Sequence, residues 1–84
     1  MNNAHRKTLA AIFANPVPAA LERRKLEALF VALGAQKVEG DGSRVAFVIN
    51  GVRADFHRPH PDKHARRYQI RAAREFLHLT GTIA

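Results

Sequence analysis

Cysteine is absent from this chain of 84 residues, which excludes a disulfide framework and any thiolate metal site. Tyrosine occurs once, at Tyr68, and tryptophan not at all. The phenylalanines fall at core-type positions, so stacking of bases on aromatic side chains has little to draw on. No apolar run is long enough to cross a bilayer, and the N-terminus carries no signal-peptide pattern. The expectation is a cytoplasmic protein with no membrane partner. Acidic residues are scarce, seven against fourteen Lys and Arg, which leaves a net charge of +7. So large an excess in a short chain points to a polyanionic partner, RNA or DNA ahead of an acidic protein or a membrane surface. The length allows one modest core, so residues 1–84 are read as a single domain.

The most informative segment runs from Gly42 to Pro61. Asn50-Gly51 separates two alternating runs, and both residues tolerate the positive φ that a tight hairpin turn requires. A two-residue turn fixes the register. Ile49 then faces Val52, Phe47 faces Ala54, Val45 faces Phe56, Arg44 faces His57 and Ser43 faces Arg58. Side chains alternate along a strand, so Val45, Phe47, Ile49, Val52, Ala54 and Phe56 share an apolar face. Arg44, Arg53, Asp55 and His57 share the other face with Ala46 and Val48.

Helical periodicity occupies the flanks. Leu9, Ile12 and Phe13 predict a helix over 4–14, ended by Asn15-Pro16. Pro16-Val17-Pro18 is a stiff connector, so 1–18 reads as an extension to a core at 19–84. Leu26, Leu29, Phe30 and Leu33 lie at i, i+3, i+4 and i+7 within a helix expected from Ala19 to Leu33, with Gly34 as its cap. A weak strand over 35–39 precedes the hairpin. A last helix, from about Lys63 or His64 to Leu79, carries Ile70, Ala73, Phe76 and Leu77 inward and lines up Arg67, Arg71, Arg74 and His78. The order is α-α-β-β-β-α. That predicts an α+β fold, a small three-stranded antiparallel sheet with helices packed on one face.

Four features stand in order: the helix ending Ala32-Leu33-Gly34-Ala35, the Gly42-Ser43 turn into an aromatic-containing strand, the Pro-His element after the next strand, and the C-terminal helix ending near Gly81. Together they resemble the HicA family of mRNA interferase toxins. The resemblance covers roughly residues 20–82. It implies a double-stranded-RNA-binding-domain-like fold, an endoribonuclease acting on mRNA, and a HicB-type antitoxin as partner. The family's catalytic histidine follows the Gly-Ser pair, and here that position is Arg44.

An arginine does not act as a base at neutral pH, but the register supplies a histidine beside it. His57 lies across the hairpin from Arg44, with opposed Cβ atoms about 4.5–5.5 Å apart. An imidazole there can take the proton of an RNA 2′-hydroxyl while the guanidinium stabilises charge on the phosphorane. Asp55, two residues away on the same face, is the candidate for orienting His57. His60, held between Pro59 and Pro61, is a candidate general acid or phosphate ligand. Ser43, Arg58, Lys63, Arg67, Arg71 and Arg74 are candidates for RNA contact, the last three as a stripe reading the backbone.

Each has a blander reading. His57 also suits an ordinary polar strand position, His60 a structural loop histidine, and the arginine stripe a solvated helix face. His57, His60 and His64 form H-x2-H-x3-H, but no carboxylate or cysteine joins them at a ligand spacing. No metal or other cofactor is expected. Two functions stand side by side, a metal-independent endoribonuclease toxin and a catalytically silent RNA-binding module. An interaction protein for an acidic partner is a distant third.

Overall fold

Asn50 and Gly51 both have positive φ, 51° and 77°, and the hairpin they close has the expected register from Ile49↔Val52 to Arg44↔His57. The structure, a computed structural model, describes residues 2–58 and 62–82. Strands β3 (Arg44–Ile49) and β4 (Val52–His57) form this hairpin, and β2 (Gln36–Glu39) pairs antiparallel with the other edge of β3. Helices α1 (Asn3–Ile12), α2 (Arg23–Ala32) and α3 (Arg67–Leu79) flank the sheet. The α+β class and the three-stranded antiparallel sheet are as the sequence predicts.

The core forms where the apolar faces meet. Val45, Phe47, Ile49 and Phe56 are buried against Leu26, Leu29 and Phe30 of α2 and Ile70, Ala73, Phe76 and Leu77 of α3. Phe30 sits at the centre, with ring centroids 5.1 Å from Phe47, 5.2 Å from Phe76 and 5.6 Å from Phe56. These are the offset and edge-on separations at which aromatic pairs attract beyond their buried area. Gly34, at φ 101°, ends α2. Its N–H donates to the Val31 carbonyl and that of Ala35 to the Phe30 carbonyl, the paired bonds of a left-handed helix stop.

The sequence reading of 19–33 as one helix is corrected. Ala20–Glu22 forms strand β1, and it pairs antiparallel with β5 (His64–Arg66), with Leu21 opposite Ala65. Leu21 lies five residues before Leu26, off the apolar stripe of α2. As a strand residue it packs against the core beside the buried Ala65. The last helix accordingly starts only at Arg67, where the Gln69 side chain accepts a bond from the Arg66 N–H.

Helix α1 does not touch the sheet's polar face. It packs on α2 and α3, burying Ile12, with Leu9 and Phe13 partly covered. The far face of the sheet is left open. It displays Arg44, Arg53, Asp55 and His57, with Gln36 and Val38 from β2 on the same side. Ala46 lies on that face yet is only 2% exposed, because its short side chain is flanked by Val38 on one strand and Asp55 on the other. Among the described residues, no helix is long and apolar enough to cross a membrane.

Candidate active site

The open end of the β3–β4 hairpin brings three side chains of interest together. Arg44 and His57 are a directly opposed pair. Ser43, just before β3, places its Oγ 3.0 Å from His57 Nδ1. The Ser43 carbonyl accepts the Arg58 N–H at 2.7 Å, which holds the strand ends together at this point. The His57 carbonyl accepts from Gln69 Nε2 at 2.7 Å, and Gln69, 3% exposed, belongs to the first turn of α3. His57 is thus held at the ring by Ser43 and at the backbone by Gln69, while the imidazole edge stays accessible to solvent.

That hydrogen bond controls what the ring can do. When Nδ1 donates to the serine oxygen, Nε2 presents a lone pair and serves as a base. When the hydroxyl donates to Nδ1, Nε2 carries the proton and serves as an acid. Both directions fit the 3.0 Å separation. Arg44 is exposed and, among the described residues, makes no ion pair. Its guanidinium is available for an anion beside the imidazole.

Asp55 does not orient His57. Its carboxylate takes three contacts from Arg53, at 3.0 to 3.2 Å. Those hydrogen bonds hold the Asp55 carboxyl below the usual carboxylate range, and the charges of Arg53 and Arg44 act in the same direction. An arginine two residues back on the same strand face is a nearer and stronger partner than an imidazole. Ser43 fills the orienting position instead.

Arg58 is also committed elsewhere. Its fork bonds both oxygens of Glu27, at 2.7 and 2.9 Å, and Glu39 at 2.8 Å. Lys37 joins the same carboxylates at 3.8 and 3.4 Å. The two carboxylate partners push the Arg58 pKa further up, while the hydrogen bond from Arg58, with Lys37 beside it, lowers that of Glu39. This network ties the base of the hairpin to α2 and leaves Arg58 no free donor face for phosphate.

The arginine stripe of α3 divides. Arg67 and Arg71 are exposed to solvent. Arg74 instead bonds the carbonyls of Ile12 and Ala14 and lies 5.9 Å over the Phe13 ring, while His78 meets Phe13 edge-on at 5.4 Å. Its C-terminal half is therefore the seat of α1. Lys63 is exposed, and its carbonyl accepts the Arg23 N–H. His64 caps Asp62 through its backbone N–H at 3.0 Å, and with Arg66 this holds the Asp62 carboxyl low. His60, the candidate acid, lies outside the described residues. Among those described, no three His, Asp or Glu side chains converge as a metal cage.

A groove of about 630 Å³ runs along the outer side of α2, lined by Arg24, Val31 and Lys63 among others, and none of the three hairpin residues borders it. The candidate site is a surface, open enough for a polymer. Sequence reasoning missed Gln69, although a polar residue beside Ile70 on an otherwise apolar stripe was a visible signal. It missed the Glu27–Arg58–Glu39 network because nothing local links residues so far apart.

The family model described as the HicA toxin of bacterial toxin–antitoxin pairs matches residues 23–79, from the start of α2 to the end of α3. The matched stretch takes in Ser43, Arg44, His57 and Gln69, and it leaves α1 and β1 outside. No curated protein and no solved structure matches the chain.

Proposed function

Because the chain belongs to the HicA family of bacterial toxins, we propose that it is the ribonuclease half of a toxin–antitoxin pair, cutting mRNA in the cytoplasm until a HicB-type antitoxin covers it. The observation that carries this reading is the opposed pair of Arg44 and His57, with the imidazole tethered to Ser43 at 3.0 Å. The reaction is attack of an RNA 2′-hydroxyl on its own phosphate. His57 Nε2 takes the hydroxyl proton as the 2′-oxygen bonds phosphorus. The Arg44 guanidinium faces the charge that grows on the phosphorane oxygens. The P–O5′ bond then breaks, its oxygen taking a proton from His60 or from water, and the products are a cyclic phosphate and a 5′-hydroxyl. Arg67, Arg71 and Lys63 hold the flanking backbone through charge, without sequence readout.

His57→Gln separates this reading from a silent binding module. Glutamine keeps a hydrogen-bonding side chain but exchanges no proton near neutrality. The expected result is a folded variant that binds RNA, cuts none in the presence of EDTA, and no longer arrests growth. Full toxicity and cleavage in folded His57→Gln protein would overturn the assignment. Cleavage absent from the unaltered protein as well would favour the silent module, whose motive is Arg44 at the position where the family keeps its histidine.

A further inference from the structure

Tyr68 is an exposed aromatic residue, 62% accessible to solvent, whose side chain makes no hydrogen bond among the described residues. The aromatic contacts among the described residues involve Phe13, Phe30, Phe47, Phe56, Phe76 and His78 but not Tyr68. It stands in the first turn of α3, one residue before Gln69, whose amide is bonded to the His57 carbonyl. The ring's backbone is therefore coupled to the strand that carries the candidate base through one buried hydrogen bond.

Helix geometry decides which way it faces. Successive side chains turn by about 100°. The flank holding Arg74 and His78 is the one that meets α1, as their contacts with Ile12, Ala14 and Phe13 show. Gln69 and Phe76 turn toward the sheet, and Phe76 meets Phe30 at the core. Tyr68, one residue before Gln69 and about 100° from it around the helix, lies on the flank away from Arg74 and projects to solvent. Exposed guanidinium groups stand at this end of the helix, on Arg67 and Arg71 and on Arg66, which is paired to Asp62 at 2.6 Å. An exposed aromatic face beside Arg67 and Arg71, on the helix whose Gln69 holds the His57 carbonyl, has the attributes of a nucleobase platform.

We propose that Tyr68 stacks on an unpaired base of the bound RNA and so positions the adjoining phosphate at His57 and Arg44. The inference rests on the ribonuclease reading for its account of position, but its core is a binding contact that exists without cleavage. It also narrows the substrate, since a base inside a duplex has no free face to offer.

The chain itself supplies the probe. Tyr68 is the only tyrosine and there is no tryptophan, so intrinsic emission reports this ring alone. Full-length His57→Gln protein is titrated with a short single-stranded RNA and with the same sequence as a duplex, following the tyrosine fluorescence lifetime and the anisotropy of end-labelled RNA. The expected result is a shortened lifetime with the single strand and little change with the duplex. Tyr68→Phe should hold affinity within about two-fold, whereas Tyr68→Ala should lose on the order of ten- to a hundred-fold, the range for one base–aromatic stack. Both variants should melt as the parent does, because the side chain is mostly exposed.

The outcomes separate the two readings. A lifetime response with no cleavage by the unaltered protein keeps Tyr68 as a platform and removes the catalytic role of His57. Normal affinity of Tyr68→Ala overturns the platform, whether or not cleavage by His57 persists and whether or not antitoxin binding suffers. An equal lifetime response to duplex overturns the requirement for an unpaired base.

Discussion

Ser43 Oγ and His57 Nδ1 meet at 3.0 Å across the open end of the β3–β4 hairpin, and this contact selects the ring edge that faces solvent. Ser43→Ala removes the tether and leaves the imidazole and its Gln69-anchored backbone in place. The expected effect is a fall in cleavage rate on the order of ten- to a hundred-fold from lost orientation, with RNA affinity and melting temperature nearly unchanged. Single-turnover cleavage at saturating protein measures it. A rate equal to that of the unaltered protein would mean that the tether has no part in the chemistry.

The arginines of α3 should behave as two groups. Arg67→Gln with Arg71→Gln should weaken RNA binding equally for every sequence and flatten the slope of log K against log salt. The flattening should reach up to about 0.9 per lost contact on a duplex and about 0.7 on a single strand. Arg74→Gln should leave that slope alone and instead loosen α1, because its guanidinium serves the Ile12 and Ala14 carbonyls. Filter binding over a salt series and a melting curve distinguish the two effects.

Acid should weaken the hairpin base. The Glu39 carboxyl is held below its ordinary value near 4.5, chiefly by the Arg58 hydrogen bond. A carboxylate lowered in the folded state favours folding at every pH above its unfolded value, and that contribution disappears as pH falls through the folded one. The loss therefore begins below about pH 4.5, with Asp55 and Asp62 shifted in the same direction from 3.8. Arg58 stays cationic throughout, since its pKa moves up. In Glu39→Gln, the melting temperature should change less steeply between neutrality and strong acid than in the parent.

Phe30→Ala should be the costliest single truncation. Its ring contacts three other phenylalanines and is fully buried. A loss of about 3–5 kcal/mol is expected, which is a large share of the roughly 5–15 kcal/mol that holds a domain folded. Urea denaturation gives the value directly, and a loss near 1 kcal/mol would mean that the three ring contacts are not packed as described.

The register of the hairpin was legible because everything that sets it is local. Asn50 and Gly51 specify the turn, the alternation of Val45, Phe47 and Ile49 specifies the buried face, and the opposition of Arg44 and His57 follows. The apolar stripes of α2 and α3 were legible for the same reason, since a helix repeats within a few residues. What the sequence left open were choices among distant partners. Arg58 has many carboxylates available in principle, and only the packing of α2 against the sheet brings Glu27 and Glu39 to it. Arg74 read as one member of a phosphate-reading stripe until α1 settled over it, and Ala20–Glu22 read as helix until His64–Arg66 came alongside to pair. The division follows from the physics. Backbone periodicity and turn chemistry act over a few neighbouring residues, whereas the partner of a long charged side chain depends on which surfaces the collapsed core brings within hydrogen-bonding distance.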